Sequence, residues 1–264
     1  TYSELAWGKT LGYLAGWFQV MCYYPAFVSI IACGAASYIL VLFGAPGPFS
    51  SGEFTFFSWV LTVGLMVIFF VFNSFATKSA GKFQSFALVA KVSALVVLAL
   101  FGLFLGDPVV AVTAASTGGT MSGLFVALIS IAFAYDGWLV APSVAHEIKN
   151  PKRNLPLALT FAPVLIMVVY LAYTIGLTSV LGADAVMELG NAAVGEAATM
   201  FFGAWGPKII YVFVVISILG TFNGLILGYI RLPYALALRE ELPFHKQLAV
   251  LNKKFDIPLA SALA

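Results

Sequence analysis

The chain has 264 residues, 62% of them hydrophobic and only 9% charged, with a mean hydropathy of +1.02. A soluble domain cannot clothe its surface with so little charge, so the composition excludes that class and points to an all-α or barrel protein spanning a membrane several times. The net charge of +2 leaves no basic patch for nucleic acid.

Charge-poor runs long enough to cross about 30 Å of hydrocarbon occur at Leu11 to Phe43, Phe56 to Asn73, Gly81 to Leu105, Met121 to Ile148, Leu155 to Leu181 and Lys208 to Leu238. Backbone polar groups in lipid must be satisfied within a helix or a closed barrel, and these runs lack the short alternation of barrel strands. The expectation is therefore an all-α membrane protein with six spans forming one transmembrane domain over residues 1–264. Thr1 is not a start residue, and the final DIPLASALA reads as the opening of another apolar segment, so the chain is expected to be an excerpt of a longer protein.

Basic residues alternate from one connection to the next. Lys9 precedes the first span, Lys78 and Lys82 separate the second and third, Lys149, Lys152 and Arg153 separate the fourth and fifth, and Arg231, Arg239, Lys246, Lys253 and Lys254 end or follow the sixth. The intervening connections, FGAPGPFSSGEF, GDPVVAVTAASTGGT and GADAVMELGNAAVGEAATMFFGAWG, hold none. Cytoplasmic loops carry the Lys and Arg excess, so both ends are expected to face the cytoplasm of a plasma (inner) membrane. The external loop 183–206 is long enough for helical turns that expose Asp184, Glu188 and Glu196, either as a helix lying at the interface or as a lid over a central pathway.

Span one carries Tyr23, Tyr24 and Pro25 near its middle, which read either as packing or as pathway lining. Cys22 and Cys33 lie about 16 Å apart along this helix, too far to bridge. In span three, Lys91 sits roughly 15 Å from the start of the helix, too deep to snorkel comfortably. An intramembrane lysine is a functional candidate, as a site whose proton responds to opening and closing or as a tether to neighbouring carbonyls.

Span four contains AFAYDGW. An aspartate at this depth costs about 2.5 to 3.5 kcal/mol on insertion scales, so Asp136 should face protein or water. Gly137 permits backbone angles a helix does not use, and Pro142 removes a donor farther along. One reading is a discontinuous helix, its first half ending near Ala134 and its second starting near Trp138. Carbonyls at the first end would hold an ammonium group and amides at the second a carboxylate, which suits the zwitterion of an amino acid. The other reading is a simple kink with Asp136 bonded to a neighbouring helix. In span six Gly220, Gly224 and Gly228 recur every fourth residue, as Gly12 and Gly16 do in span one, and small residues so spaced let helix backbones approach. Thr221 and Asn223 interleave that stripe and serve either the pathway or interhelical hydrogen bonds. His146 and His245 fall near or beyond cytoplasmic ends, and Trp7, Trp59 and Trp205 read as interfacial anchors.

The strings AYDGW and EIKNPKRNLPLAL, with NSFATKSAGKFQSFALVAK and GTFNGLILGYIRLPYALALREELPF, resemble amino acid permeases of the amino acid-polyamine-organocation superfamily. The likeness is strongest to the L-type and bacterial Ser/Thr-exchanger-like branches. It implies that the spans are helices three to eight of a LeuT-like bundle built on a five-plus-five inverted repeat. It also implies that Phe133 gates the substrate, that the carbonyls of Ala134 and Tyr135 receive the α-amino group, and that Asp136, Gly137 and Trp138 complete the break. Lys91 would stand in for the sodium ion of sodium-coupled relatives, implying sodium independence. Leu139, where several L-type members have Asn, is a departure from the pattern.

No Ser, Cys or His constellation offers a nucleophile with a base, no HExxH spacing offers a metal, and no phosphate loop is present, so an enzyme is disfavoured and no cofactor is expected. The expected function is secondary transport of amino acids across the lipid bilayer, by exchange or proton coupling. The alternative is a transporter-like receptor or membrane subunit that binds an amino acid without flux.

Overall fold

The computed structural model describes residues 2–47, 52–75, 77–107, 109, 111, 121–137, 148–240, 242 and 244–250. Among these described residues the regular structure is helical, with no strand. The helices are α1 (Tyr2–Phe18), α2 (Tyr24–Leu42), α3 (Phe56–Phe75), α4 (Thr77–Leu105), α5 (Met121–Ala134), α6 (Pro151–Leu181), α7 (Ala183–Leu189), α8 (Ala193–Phe202), α9 (Gly206–Ala237) and the short α10 (His245–Leu248). Among the described residues five helical runs are long and apolar enough to cross a membrane, namely Glu4–Leu42, Phe56–Phe75, Ser79–Leu105, Pro151–Leu181 and one within Ala183–Ala237. The protein is an all-α, multi-pass membrane protein. The expected fourth span, 121–148, appears among the described residues as α5 alone, 14 residues followed by a turn.

The first span differs from its expected bounds. Helical structure is already present at Tyr2, ahead of Leu11, and is interrupted at Gly8, whose φ of 85° is the left-handed region that favours glycine. The break folds the opening residues back, so that a Cβ on Gly12 would lie 2.8 Å from the Glu4 Cα, and Glu4 Oε2 accepts from Arg239 Nη1 at 2.8 Å. Gly12 therefore makes room for its own chain rather than for another span, whereas Gly16 faces Leu236 of α9. Between α1 and α2, Gln19–Tyr23 widens into a π-helical turn in which the Tyr24 N–H donates to the Gln19 carbonyl. Pro25 at the start of α2 has no N–H to offer Met21 in an α register, and the wider turn absorbs that loss.

The chain divides into two compact units. One comprises Thr1–Ala87 and Ser217–Ala264, the other Leu88–Ile216. The core of the first is built on α2, where buried Ala32, Ala35 and Ala36 let α3 and α9 approach, and Val28, Leu65, Phe69, Phe222 and Ile226 fill the space between. Phe69 meets Phe222 edge to face at 5.2 Å, and Tyr24 stacks on Tyr229 at 5.7 Å.

In the second unit α4 and α6 touch backbone to backbone. A Cβ on Gly102 would strike the Gly176 backbone, one on Gly176 would lie 2.8 Å from the Ala99 carbonyl, and the Asp107 N–H donates to the Ser179 carbonyl at 3.0 Å. Over this seam the connection 183–206 folds as α7, a 3-10 turn at Gly190–Ala192, α8 and a second 3-10 turn at Gly203–Trp205. Ala193 and Ala197 of α8 pack with Leu177, and Ala198 with Leu98 and Ile210, while Asp184, Glu188 and Glu196 are exposed. Cys22 and Cys33 are both free thiols.

Candidate functional site

The AYDG segment lies where α5 stops. Ala134 is the last helical residue, Tyr135 to Gly137 form a turn, and Gly137 has φ 104°, which a side chain would strain. The Tyr135 N–H still reaches Ile131 O at 3.1 Å, but the Asp136 N–H falls back to Phe133 O at 3.2 Å, the tighter pattern of a helix end. The carboxylate of Asp136 locks the turn by accepting the Gly137 N–H at 2.7 Å. The carbonyls of Ala134, the last helical residue, and of Tyr135 just beyond it thus lie at the end of α5 that carries partial negative charge. Phe133, on the final helical turn, is 52% exposed. Trp138, Leu139, Pro142 and His146 lie outside the described residues.

The turn is followed by a sharply defined restart. Asn150 adopts a left-handed conformation at φ 51°, Pro151 opens α6, and the amides of Arg153 and Asn154 both donate to the Asn150 carbonyl at 3.0 Å. Proline is pre-shaped for the first turn of a helix and asparagine tolerates the left-handed region, which is the physical content of the KNPKRN string. Within that string, Lys152 and Arg153 are exposed.

Lys91 lies near the middle of α4, partly buried, in the same unit as the AYDG turn. The remaining candidates fall in the other unit. Tyr24 is buried in the core and stacked on Tyr229, so its ring is committed to packing, while Tyr23 is half-buried, stacked on Phe27 at 5.3 Å, and closes the π-helical turn. The Thr221 hydroxyl donates to Ser217 O at 3.1 Å within its own helix. Asn223 is fully buried at 0% exposure and bound on every side: its Nδ2 donates to Ala80 O at 3.2 Å and Gln84 Oε1 at 3.1 Å, and its Oδ1 accepts from Asn73 Nδ2 at 3.0 Å. Gly220 meets Ala87 at this crossing and a Cβ on Gly224 would lie 3.0 Å from Gln84 Nε2, so the glycine stripe of α9 makes room for α4.

Two features escape the linear reading. Tyr170 of α6 meets the Tyr135 ring edge to face at 6.3 Å, which adds an aromatic wall to the AYDG turn. Its only sequence signal is that it is one of two hydroxyl-bearing rings in the apolar run MVVYLAY. The second is the role of Gln84 and Asn73, two amides in apolar spans whose joint burial only the contact between helices reveals.

An apolar helix that stops at Ala134 in a turn closed by Gly137 is found here in a chain that matches, over residues 1–264, a family model described as amino acid permease. The chain belongs to that family. Among individual proteins this permease chain is similar to the serine/threonine exchanger SteT of Bacillus subtilis, 31% identical over 260 residues, which are 98% of this chain and 57% of that protein. An uncharacterized protein of Methanocaldococcus jannaschii is 27% identical over 220 residues, 83% of this chain and 49% of that protein. The b(0,+)-type amino acid transporter 1 of Oryctolagus cuniculus is 32% identical over 116 residues, 44% of this chain and 23% of that protein. The permease chain spans about half the length of the first two of these curated relatives.

Proposed function

We propose that the protein to which this chain belongs is a secondary amino acid transporter that works by alternating access without sodium. The observation that carries the reading is the end of α5 at Ala134, with Gly137 at φ 104° and the Asp136 carboxylate on its N–H, inside a chain matched throughout by the amino acid permease model. The α-ammonium of the substrate binds the carbonyls of Ala134 and Tyr135, Phe133 closes over it, and Tyr135 with Tyr170 forms one wall. Trp138 opens the second half of a discontinuous fourth span and offers the amides that hold the carboxylate. Of the candidates in the other unit, half-buried Tyr23 is given the pathway-lining role because its ring is the more accessible, while the hydrogen bonds of buried Asn223 assign that amide to helix packing.

The spans correspond to helices three to eight of a five-plus-five inverted-repeat bundle, with both ends of the chain cytoplasmic and Lys91 in place of a coupling sodium ion. Likeness to a serine/threonine exchanger makes small hydroxyl-bearing amino acids the first substrates to try. The test uses the full-length protein in liposomes, without sodium. Uptake of labelled serine or threonine should rise at least fivefold in vesicles preloaded with unlabelled amino acid if exchange is obligatory. Uptake driven by an inward proton gradient into empty vesicles would assign proton coupling instead. Strict dependence on sodium would overturn the role given to Lys91, and saturable binding with no flux under any condition would overturn transport.

A further inference from the structure

We propose that the buried amide cluster of Asn73, Gln84 and Asn223 is a positioning device that sets the rotation of α4 about its own axis and thereby the direction in which Lys91 presents its ammonium group. The inference rests on the functional reading of Lys91 above. Asn73 and Asn223 are 2% and 0% exposed, and four hydrogen bonds converge on them from three helices. Asn73 Nδ2 donates to Phe69 O at 2.8 Å and to Asn223 Oδ1, and Asn223 Nδ2 donates to the Ala80 carbonyl and to Gln84 Oε1. Both acceptors supplied by α4 are thus grasped by one amide of α9.

Close van der Waals packing of small and apolar side chains would also hold these helices together in lipid, but such contacts are only weakly directional. What amides add is direction: a hydrogen bond weakens steeply as its angle closes, so a rotated α4 would leave buried polar groups unpaired, which is costly. The glycines of α9 sharpen the constraint, because Gly220 against Ala87 and Gly224 against Gln84 leave no slack at the crossing. Ala80, Gln84, Ala87 and Lys91 are spaced four, three and four apart, so at about 3.6 residues per turn they fall within an arc of about 60° on α4. Lys91 stands about 10.5 Å along the axis from Gln84. A rigid helix carries a rotation imposed at Gln84 undiminished over those two turns.

The test is made in full-length protein carrying Cys22→Ser and Cys33→Ser, with single cysteines introduced as Lys91→Cys or Val92→Cys. Each is reacted with a cationic methanethiosulfonate reagent in membranes, and the ratio of the two modification rates reports which face of α4 is presented. Gln84→Met, which keeps side-chain length and removes the acceptor, should change that ratio at least threefold. Gln84→Glu, which keeps an acceptor for Asn223, should hold it within twofold of the parent. With Lys91 intact, serine uptake should fall at least fivefold in Gln84→Met and recover in Gln84→Glu. Should Gln84→Met not reach the membrane, Asn223→Ala removes the same bond from the other side and carries the same expectation. A lowered thermal stability with an unchanged ratio would reduce the cluster to packing and overturn the proposal. If the parent protein transports nothing, the transport reading falls while the rate ratio still decides the positioning.

Discussion

Gly137 and Asp136 show how much one dipeptide decides. A φ of 104° admits glycine freely, and any Cβ there strains the backbone by about 1–3 kcal/mol. Among the described residues nothing lies within 4 Å of the place a Cβ would take on Gly137, so Gly137→Ala is a test of backbone conformation. We expect that variant to reach the membrane in normal amounts and to lose at least tenfold in initial uptake rate; wild-type uptake would show that the turn is not where substrate is held. The acid and the helix breaker were legible from sequence because each is costly in lipid for its own reason. Tyr170 was not, since a tyrosine in an apolar run has the same appearance whether its ring faces lipid, a helix or a substrate.

At the scale of elements, α4 and α6 form a tight seam within their unit. Gly102 and Gly176 bring the two backbones into contact, and Gly106 lies against Ser179 beyond them. A branched side chain at Gly176 has to push α4 away, and overpacking of this kind costs about 1–3 kcal/mol. Gly176→Val should therefore lower the apparent melting temperature of the purified protein by several degrees, while Gly64→Ala, with no neighbour within 4 Å, should leave it unchanged. Equal melting temperatures for both would contradict the close approach. The glycine stripe of α9 was visible as a repeat of four, but Gly102, Gly106 and Gly176 belong to two helices and acquire meaning only as partners. The π-helical turn at Gln19–Tyr23 has the same character: Pro25 announces a missing donor, yet whether a helix kinks, ends or widens there depends on what packs beside it.

For the whole molecule, the sign alternation of the connections makes a topological prediction. Lys152 and Arg153, exposed at the start of α6, are assigned to the cytoplasm, and Glu188, exposed at the end of α7, to the outside. Single cysteines at Lys152 and Glu188, introduced in the Cys22→Ser, Cys33→Ser background, should be labelled by an impermeant maleimide from opposite sides of sealed right-side-out vesicles. Glu188→Cys should react at once and Lys152→Cys only after permeabilisation; the reverse order would invert the assigned orientation.

The sequence by itself determined the membrane class, the helical character of the long apolar runs and the stop of α5 near Ala134. These follow from forces that act locally: the cost of polar groups in hydrocarbon, and the backbone limits of glycine and proline. Only the tertiary structure decided that Asn223 is held by Asn73, Gln84 and the Ala80 carbonyl, that Tyr24 is packed against Tyr229, and that Gly12 faces its own chain folded back at Gly8. Each of these depends on which residue a neighbouring segment brings within reach. Hydropathy tells a helix that it must be buried, and the pairing of faces tells each amide what it is buried against.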